Sequence, residues 1–176
     1  LIAGLNVIES ESDTVECARA LVALAERHRF PLIFKASYDK ANRSRIDAFR
    51  GPGLDEGLRT LARVKRELNL PILTDVHEPD QAKIVSEIVD CIQVPAYLCR
   101  QTDLIVACAK TGLPVNIKKG QFLAPQDIKH AVSKIEANGM GGVMITERGS
   151  SFGYNNLVVD MRSLLQMREF APVCFD

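Results

Sequence analysis

The sequence predicts an α/β fold built from repeated βα units, because short apolar, β-branched runs alternate with stretches that have helical spacing of apolar residues. The runs that predict strands lie near 1–7, 31–36, 71–76, 90–94, 113–118, 142–147 and 172–176. The helical patterns between them lie near 13–28, 54–69, 79–88, 101–111, 125–138 and 160–169. An alternation this regular favours a TIM (β/α)8 barrel, and a doubly wound open sheet is the alternative.

Local signals mark several helix ends. Asp13 is expected to cap the first helix, and Pro79 falls in the first turn of the third. Gly112 and Gly139 lie just past the ends of two later helical patterns, where glycine is favoured. These residues therefore divide the chain at the same places as the apolar pattern.

The chain length predicts one domain over residues 1–176. The sequence opens inside the apolar run 1–3 and stops inside another, 172–176, so we expect a barrel that is truncated at both ends. Seven predicted strands with six intervening helices leave the C-terminal βα unit(s) of an eight-unit barrel missing from this chain.

The composition excludes several classes of partner. Apolar residues make up 47% of the chain and charged residues 25%, as in ordinary folded domains. Lys plus Arg and Asp plus Glu both number 22, so no overall positive field attracts nucleic acid or a membrane surface. No apolar run reaches the roughly 18 residues of a membrane span, and most of the five cysteines have the apolar neighbours of reduced core thiols. We therefore expect a cytoplasmic protein with no nucleic-acid or membrane partner.

Polar or ionisable residues stand where the apolar runs of several predicted strands stop. They are Lys35, Asp75, Gln93, Lys118, Lys119, Glu147 and Arg148. In a barrel these strand ends converge on one mouth, and cations that gather there repel one another and lose hydration unless an anion binds them. The pattern favours a phosphorylated, multiply anionic ligand. The alternative is that each Lys extends its ammonium to solvent or pairs with Asp75 or Glu147.

Two loops extend this pattern. The segment 37–53 is long and polar, carries Lys40, Arg43 and Arg50, and has the length of a functional loop. The segment 149–153 follows Arg148 and is rich in Gly and Ser, so its backbone amides are expected to form a nest for a phosphate. Three or four cations with such a nest suit a ligand that has a carboxylate and a phosphate, with a second phosphate nearby.

Six segments together resemble the family of 3-deoxy-D-manno-octulosonate 8-phosphate synthases, also called 2-dehydro-3-deoxyphosphooctonate aldolases. They are FKASYDKANRS (34–44), RGPGLDEGL (50–58), TDVHEP (74–79), QVPAYLCRQTDL (93–104), NIKKGQFLAP (116–125) and ERGSSFGYNNLVVDMR (147–162). The resemblance implies an enzyme that condenses phosphoenolpyruvate with D-arabinose 5-phosphate to supply the Kdo sugar of bacterial lipopolysaccharide.

The resemblance also implies site residues. The phosphoenolpyruvate site would contain Lys35, Lys40, Asp75, Gln93, Pro95, Ala96, Lys118 and Arg148. The arabinose 5-phosphate site would contain Asn42, Arg43, Ser44 and Arg100, the last reaching into a neighbouring subunit of a homotetramer. Catalytic roles would fall to Lys40 or Lys118 as proton donor and to Asn6. His77 is a candidate base, for which a structural role at a helix entry is the alternative.

The residue at position 6 indicates whether the protein requires a metal ion. The family resembled here has a metal-dependent class with Cys and a metal-independent class with Asn at one position of the first strand, and this chain has Asn6. A neutral amide is a poorer ligand than a thiolate for a soft divalent ion. We therefore expect no cofactor and no metal ligand. A divalent metal is the alternative, because LCRQTDL, KKGQFLAP and MREFAPV are similar to the metal-dependent class.

Two rival functions are open. The sister synthase, which makes 3-deoxy-D-arabino-heptulosonate 7-phosphate from erythrose 4-phosphate, has a similar barrel, and its family typically has K-P-R-T where this chain has Lys40-Ala41-Asn42-Arg43-Ser44. The asparagine of this segment belongs to the synthase of the longer aldose. The second rival is a non-catalytic phosphosugar-binding barrel, which would not need a complete set of residues for two substrates.

Overall fold

The computed structural model describes residues 1–176 and shows an α/β protein whose principal strands run parallel. The chain folds as two compact units. The first unit contains Leu1–Asp75 and Glu87–Cys91, and the second contains Val76–Ser86 and Ile92–Asp176. All seven predicted strands and six predicted helical regions are present. Closure into a TIM barrel and the single domain over 1–176 stay predictions.

The first unit consists of three parallel strands with two helices. The strands are β1 (Ile2–Leu5), β2 (Ile33–Ala36) and β3 (Ile72–Asp75). The helices, α1 (Glu11–His28) and α2 (Leu54–Leu68), pack against each other. Lys35 is in register with Gly4 on β1 and with Leu73 on β3. Phe34, Leu61 and Ile72 are fully buried, so the core lies between helices and strands, as the apolar pattern requires.

The N-terminus of α1 is capped by Ser10, so the prediction of Asp13 as the cap is wrong. Ser10 has extended backbone, and its side chain accepts a hydrogen bond of 3.1 Å from the backbone N–H of Asp13. Asp13 lies in the first turn, where its negative charge is favourable because the helix dipole is positive at this end. Sequence reasoning chose the acidic residue of the turn and missed the serine three positions earlier.

Four further parallel strands follow in the order β4 (Cys91–Val94), β5 (Val115–Lys118), β6 (Val143–Glu147) and β9 (Val173–Phe175), and all of their residues except Cys91 belong to the second unit. Its helices are α3 (Pro79–Ser86), α4 (Thr102–Lys110), α5 (Lys129–Glu136) and α6 (Arg162–Met167). Pro79 begins α3 and Gly112 follows α4 with a positive φ of 79°, as predicted. The pattern near 125–138 divides into a 3-10 turn, Pro125–Ile128, followed by α5.

An antiparallel hairpin of β7 (Ser150–Phe152) and β8 (Asn156–Val158) follows β6. It was not predicted, and the prediction of a phosphate-binding nest at 149–153 is wrong. The amide of Gly149 donates to a carboxylate oxygen of Glu147, and the amide of Ser151 donates to Gln121 O at 2.9 Å. These N–H groups are therefore already bonded within the protein.

All five cysteines are free thiols, and three of them, Cys91, Cys99 and Cys108, are buried. Burial raises the pKa of Cys108 to about 12, because the thiolate would lose its hydration. None of the helices combines the length and the apolar character that a membrane crossing needs.

Candidate active site

Lys35, Ser37 and Asp75 form a polar cluster at the carboxyl ends of β2 and β3 in the first unit. Lys35 Nζ lies 2.8 Å from Ser37 Oγ and 3.6 Å from Asp75 Oδ1. Ser37 Oγ in turn donates to Asp75 Oδ1, and the Ser37 side chain is fully buried. The three groups fix one another, so the ammonium of Lys35 is presented with little freedom. Sequence reasoning named Lys35 and Asp75 but missed Ser37, which the two-residue alternation of an extended chain places on the same face as Lys35.

Lys118 and Arg148 occupy neighbouring positions on one face of the second unit. Lys118 ends β5 in register with Thr146 on β6, and Arg148 is two residues beyond Thr146 and therefore points to the same side. Lys118 Nζ lies 2.6 Å from Asp176 Oδ2. The Nε of Arg148 is buried without a hydrogen-bond partner. An unsatisfied buried donor of this kind is costly unless a ligand accepts from it.

The same face of this sheet carries a further row of polar side chains. Gln93 on β4 is in register with Asn116 on β5, and both are buried. Thr146 Oγ1 donates to Asn116 Oδ1 at 2.7 Å, so Thr146 and Asn116 face the same side. The predicted residues Gln93, Lys118 and Arg148 are thus brought to one face of one sheet by strand register.

Gly120 brings the loop after β5 close to the segment that holds Pro95 and Ala96. A side chain at Gly120 would place its Cβ 3.0 Å from the carbonyl oxygen of Ala96 and 2.7 Å from the ring of Phe122. A side chain at this position would therefore crowd the carbonyl of Ala96 and require the ring of Phe122 to move. Ala96, which begins a 3-10 turn and is buried, therefore lies against the loop that continues from Lys118, as the predicted site requires.

Arg100 is exposed and lines a different cavity from the strand-end residues. This cavity, of about 300 Å³, is lined by Cys99, Arg100, Leu123, Asp127, His130, Ala131 and Lys134. None of the residues predicted to bind phosphoenolpyruvate is among them. The structure therefore does not bring Arg100 together with Lys118 and Arg148.

The loop 37–53 is closed by main-chain hydrogen bonds and one ion pair. Arg50 donates two hydrogen bonds, of 2.8 and 2.6 Å, to the carboxylate of Asp39. The amide of Lys40 also donates to Arg50 O at 2.6 Å. Arg50 was expected to contribute a cation to the ligand site, but its guanidinium is engaged by Asp39, so it closes the loop instead.

The tip of this loop holds the residues predicted to bind the aldose phosphate. Asn42, Arg43 and Ser44 are all exposed. Arg43 Nε donates to Phe49 O at 3.0 Å, which ties one side of the loop to the other. The three side chains come together by sequence proximity on a segment whose two ends are held by Asp39 and Arg50.

Asn6 and His77 occupy different settings. Asn6 is exposed and directly follows the end of β1. The amides of His77 and Glu78 donate to Gln81 Oε1 at 2.8 and 3.2 Å, which caps the start of α3. This capping favours the structural alternative for the segment that contains His77.

Carboxylates accompany the lysines at the strand ends. The pairs are Lys35–Asp75, Lys118–Asp176 and Lys119–Glu147. The sequence argument expected cations that only an anionic ligand neutralises, and for these three lysines the alternative of carboxylate pairing is what the structure has. Arg148 differs, because its buried Nε has no acceptor. The local chemistry therefore still favours an anion at this position.

The sequence matches the DAHP synthetase I family over residues 1–176. The chain belongs to this family. The description of the family is the name of the sister synthase, so the family alone does not separate the two synthases that the sequence left open.

The individual relatives distinguish between the two synthases, which the family description does not. The chain is 60% identical over 176 residues to the 2-dehydro-3-deoxyphosphooctonate aldolase of Koribacter versatilis, of which it covers 63%. It is 58% identical over 177 residues to the aldolase of that name from Geobacter metallireducens, covering 65%, and 55% identical to that of Hahella chejuensis, covering 63%. Each alignment includes 100% of this chain. The resemblance found in the motifs is confirmed, and the chain spans under two-thirds of the length of these relatives.

Proposed function

We propose that the full-length protein carrying this chain is a transferase that condenses phosphoenolpyruvate with D-arabinose 5-phosphate and water. The products would be 3-deoxy-D-manno-octulosonate 8-phosphate and phosphate, for the Kdo of lipopolysaccharide. The observation that carries the proposal is the buried, partnerless Nε of Arg148 at the position next to Lys118. A phosphate oxygen is the acceptor that such a guanidinium binds best.

Phosphoenolpyruvate takes the strand-end residues. Lys118 and Arg148 hold its phosphate, and in doing so Lys118 exchanges the carboxylate of Asp176 for a phosphate oxygen. Lys35 and Lys40 hold the carboxylate side. The remaining members of this set are Asp75, Gln93, Pro95 and Ala96.

The aldose phosphate takes the tip of the loop 37–53, where Asn42, Arg43 and Ser44 are exposed to solvent. Arg100 does not lie with these residues, and it lines its own surface cavity. We propose that it completes the site of a neighbouring subunit in a homotetramer. Two anionic substrates are then held by fixed cations, which offsets their mutual repulsion.

The reaction follows from this placement. Carbon 3 of the enol attacks the aldehyde carbon, positive charge develops at carbon 2, water adds there, and phosphate leaves with cleavage of the C–O bond. Lys40 or Lys118 donates the proton that the aldehyde oxygen takes up. The fixed cations stabilise the departing phosphate, and this electrostatic work dominates because the groups are already oriented.

We also propose that the enzyme belongs to the metal-independent class and works in the cytoplasm. Asn6 offers a neutral amide oxygen where a thiolate would bind a soft divalent ion far better. Within residues 1–176, no three His, Cys, Asp or Glu side chains are grouped so that they would hold an ion. A neutral amide at position 6 does not suit a soft divalent ion, so no step is assigned to a metal.

The sister synthase is the second candidate, because the family description is its name. The preference of the enzyme for one of the two aldose phosphates decides between the two activities. Full-length protein is mixed with phosphoenolpyruvate and either arabinose 5-phosphate or erythrose 4-phosphate, and phosphate release is followed over time. We expect kcat/KM to be at least about 100-fold higher with arabinose 5-phosphate, since the loop is built for the longer aldose. A preference for erythrose 4-phosphate would assign the chain to the sister activity.

A further inference from the structure

We propose that Lys119 and Glu147 form a buried ion pair that positions Lys118 and Arg148 for the phosphate of phosphoenolpyruvate. Both side chains are almost completely buried, and Lys119 Nζ lies 3.4 Å from Glu147 Oε1. The inference rests on the proposed function, since it assigns a role in binding that substrate. Lys119 and Glu147 would be positioning residues that do not touch the substrate.

The pair lies directly behind the two cations. Lys119 follows Lys118 and Glu147 precedes Arg148, and successive side chains of an extended strand point to opposite faces. Glu147 contacts Ser163 in α6, so the pair lies on the face of the sheet that this helix covers. Each phosphate-binding cation therefore has one member of the pair as its immediate neighbour in the chain.

Lys119 connects the loops that follow two strands. Its ammonium donates to Gly149 O at 2.8 Å, in the loop after β6, and to Gly120 O at 3.2 Å, in the loop after β5. Its own amide donates to Thr146 O at 2.9 Å, which continues the pairing of β5 with β6 beyond Lys118. The relative position of the two loops is thus set by one buried ammonium.

Glu147 fixes the main chain on the far side of Arg148. One carboxylate oxygen accepts from the amide of Gly149, and the other accepts from Ser163 Oγ at 2.8 Å. Gly149 has a φ of 87°, a conformation that glycine adopts without strain. Because the residues on both sides of Arg148 are held, its guanidinium is aimed by the backbone, although its Nε has no protein partner.

Energetic considerations favour a role of the ion pair in positioning Lys118 and Arg148 over a role in stabilising the fold. Removing two charges from water costs about as much as their attraction returns, so a buried ion pair is often no more stabilising than an apolar pair of the same volume. The bonds of Lys119 and Glu147 are nevertheless directed to the main chain around Arg148. Replacing both residues by apolar ones should therefore destabilise the fold less than either single replacement would, and loosen the phosphate-binding cations.

The test compares the full-length protein with the double variant Lys119→Met/Glu147→Leu. A single replacement is unsuitable, because it leaves one buried charge unpaired and strongly destabilises the fold. Phosphoenolpyruvate binding is measured by calorimetry, the KM of each substrate by phosphate release, and folding by the thermal midpoint. We expect the Kd and KM for phosphoenolpyruvate to rise about tenfold or more, and the KM for arabinose 5-phosphate to change less than about twofold.

The matched control is Lys65→Met/Asp90→Asn. Lys65 Nζ also pairs with a carboxylate, Asp90 at 2.9 Å, and also bonds a main-chain carbonyl, Ile88 O at 2.8 Å. This pair lies where β3 begins, since Asp90 accepts from the amide of Ile72, and it has no neighbour among the phosphate-binding residues. The control variant should therefore leave the affinity for phosphoenolpyruvate unchanged.

An unchanged affinity for phosphoenolpyruvate in a folded double variant would overturn the inference. If the double variant does not fold, Ser163→Ala decides, because it removes one hydrogen bond to Glu147 and little volume. For Ser163→Ala we expect a two- to threefold rise in the KM for phosphoenolpyruvate alone, which corresponds to about one lost hydrogen bond. The absence of such a rise would also overturn the inference. A wild-type protein that binds phosphoenolpyruvate without turning over arabinose 5-phosphate would instead count against the proposed function.

Discussion

At the scale of single residues, Arg148 distinguishes a binding cation from a structural one. Arg162 lies in the same unit and is exposed, and its guanidinium donates to both carboxylate oxygens of Asp160. The Nε of Arg148 is buried and has no acceptor. A donor removed from water without a partner destabilises the empty protein, and an oxyanion that reaches it regains this energy.

Replacing Arg148 with Lys should weaken phosphoenolpyruvate binding by about 1.5–3 kcal/mol, the usual worth of a hydrogen bond to a charged group. Lys keeps the charge but lacks the planar fork of donors, so the loss reports geometry more than charge. The measurement is calorimetric Kd for phosphoenolpyruvate in the full-length protein, with Arg162→Lys as control. A Kd that is equal in Arg148→Lys and in the control would contradict the assignment.

The lysines show what the sequence alone reveals of the site. Alternation along a strand predicts that Lys118 and Lys119 point to opposite faces, but it does not tell which face is covered by helices. Nor does it reveal Ser37, because a buried serine two positions after Lys35 looks like any polar residue that begins a loop. Partners such as Asp75 and Asp176 depend on contacts between strands, and these follow from register.

At the scale of elements, the loop 37–53 acts as a closed segment with its own binding residues. Asp39 and Arg50 join its two ends, and Arg43 Nε bonds Phe49 O within it. A loop that is closed before the ligand arrives loses less entropy on binding. Asn42 is the cleaner residue to replace, since Arg43 also holds the loop together.

Asn42→Ala should raise the KM for arabinose 5-phosphate about tenfold, through loss of one or two hydrogen bonds, and leave the KM for phosphoenolpyruvate within about twofold. Steady-state phosphate release with one substrate varied at a time gives both constants. Arg45→Ala is the control, because Arg45 is exposed in the same loop and pairs with Asp47. Equal rises for both substrates would contradict the division of residues between them.

The principal elements were predictable because each strand is a short apolar run and each helix has a clear apolar period. The hairpin was not predictable in this way. β7 and β8 have three residues each, and every residue from 151 to 158 is exposed, so no alternation of buried and exposed positions marks them. Gly149 and Gly153, on either side of β7, suggested a loop, and the turn between the strands uses positive φ angles at Gly153 and Asn155.

At the scale of the whole molecule, the chain contains the residues proposed for both substrates but spans only part of the length of its relatives. It covers 63–65% of the relatives compared here, and 298 curated proteins match it. Activity is therefore a property to measure on the full-length protein.

Removal of metal tests the class assigned from Asn6. After exhaustive dialysis against a strong chelator, the full-length protein should retain most of its turnover, and added Mn²⁺ or Zn²⁺ should change the rate by less than about twofold. A neutral amide gives a divalent site neither the charge nor the softness of a thiolate. Metal content by elemental analysis accompanies the assay. Loss of turnover on chelation that a divalent metal restores would move the protein to the metal-dependent class.

The location of bound phosphoenolpyruvate is the most direct test of the proposed active site. Crystals of the full-length protein are soaked with phosphoenolpyruvate and the ligand is located by diffraction. Its phosphate should lie at the carboxyl ends of β5 and β6, within hydrogen-bonding distance of Lys118 Nζ and Arg148 Nε, with the contact from Lys118 to Asp176 replaced. A phosphate bound only at the amino ends of these strands, with the pair of Lys118 and Asp176 intact, would contradict the proposed site.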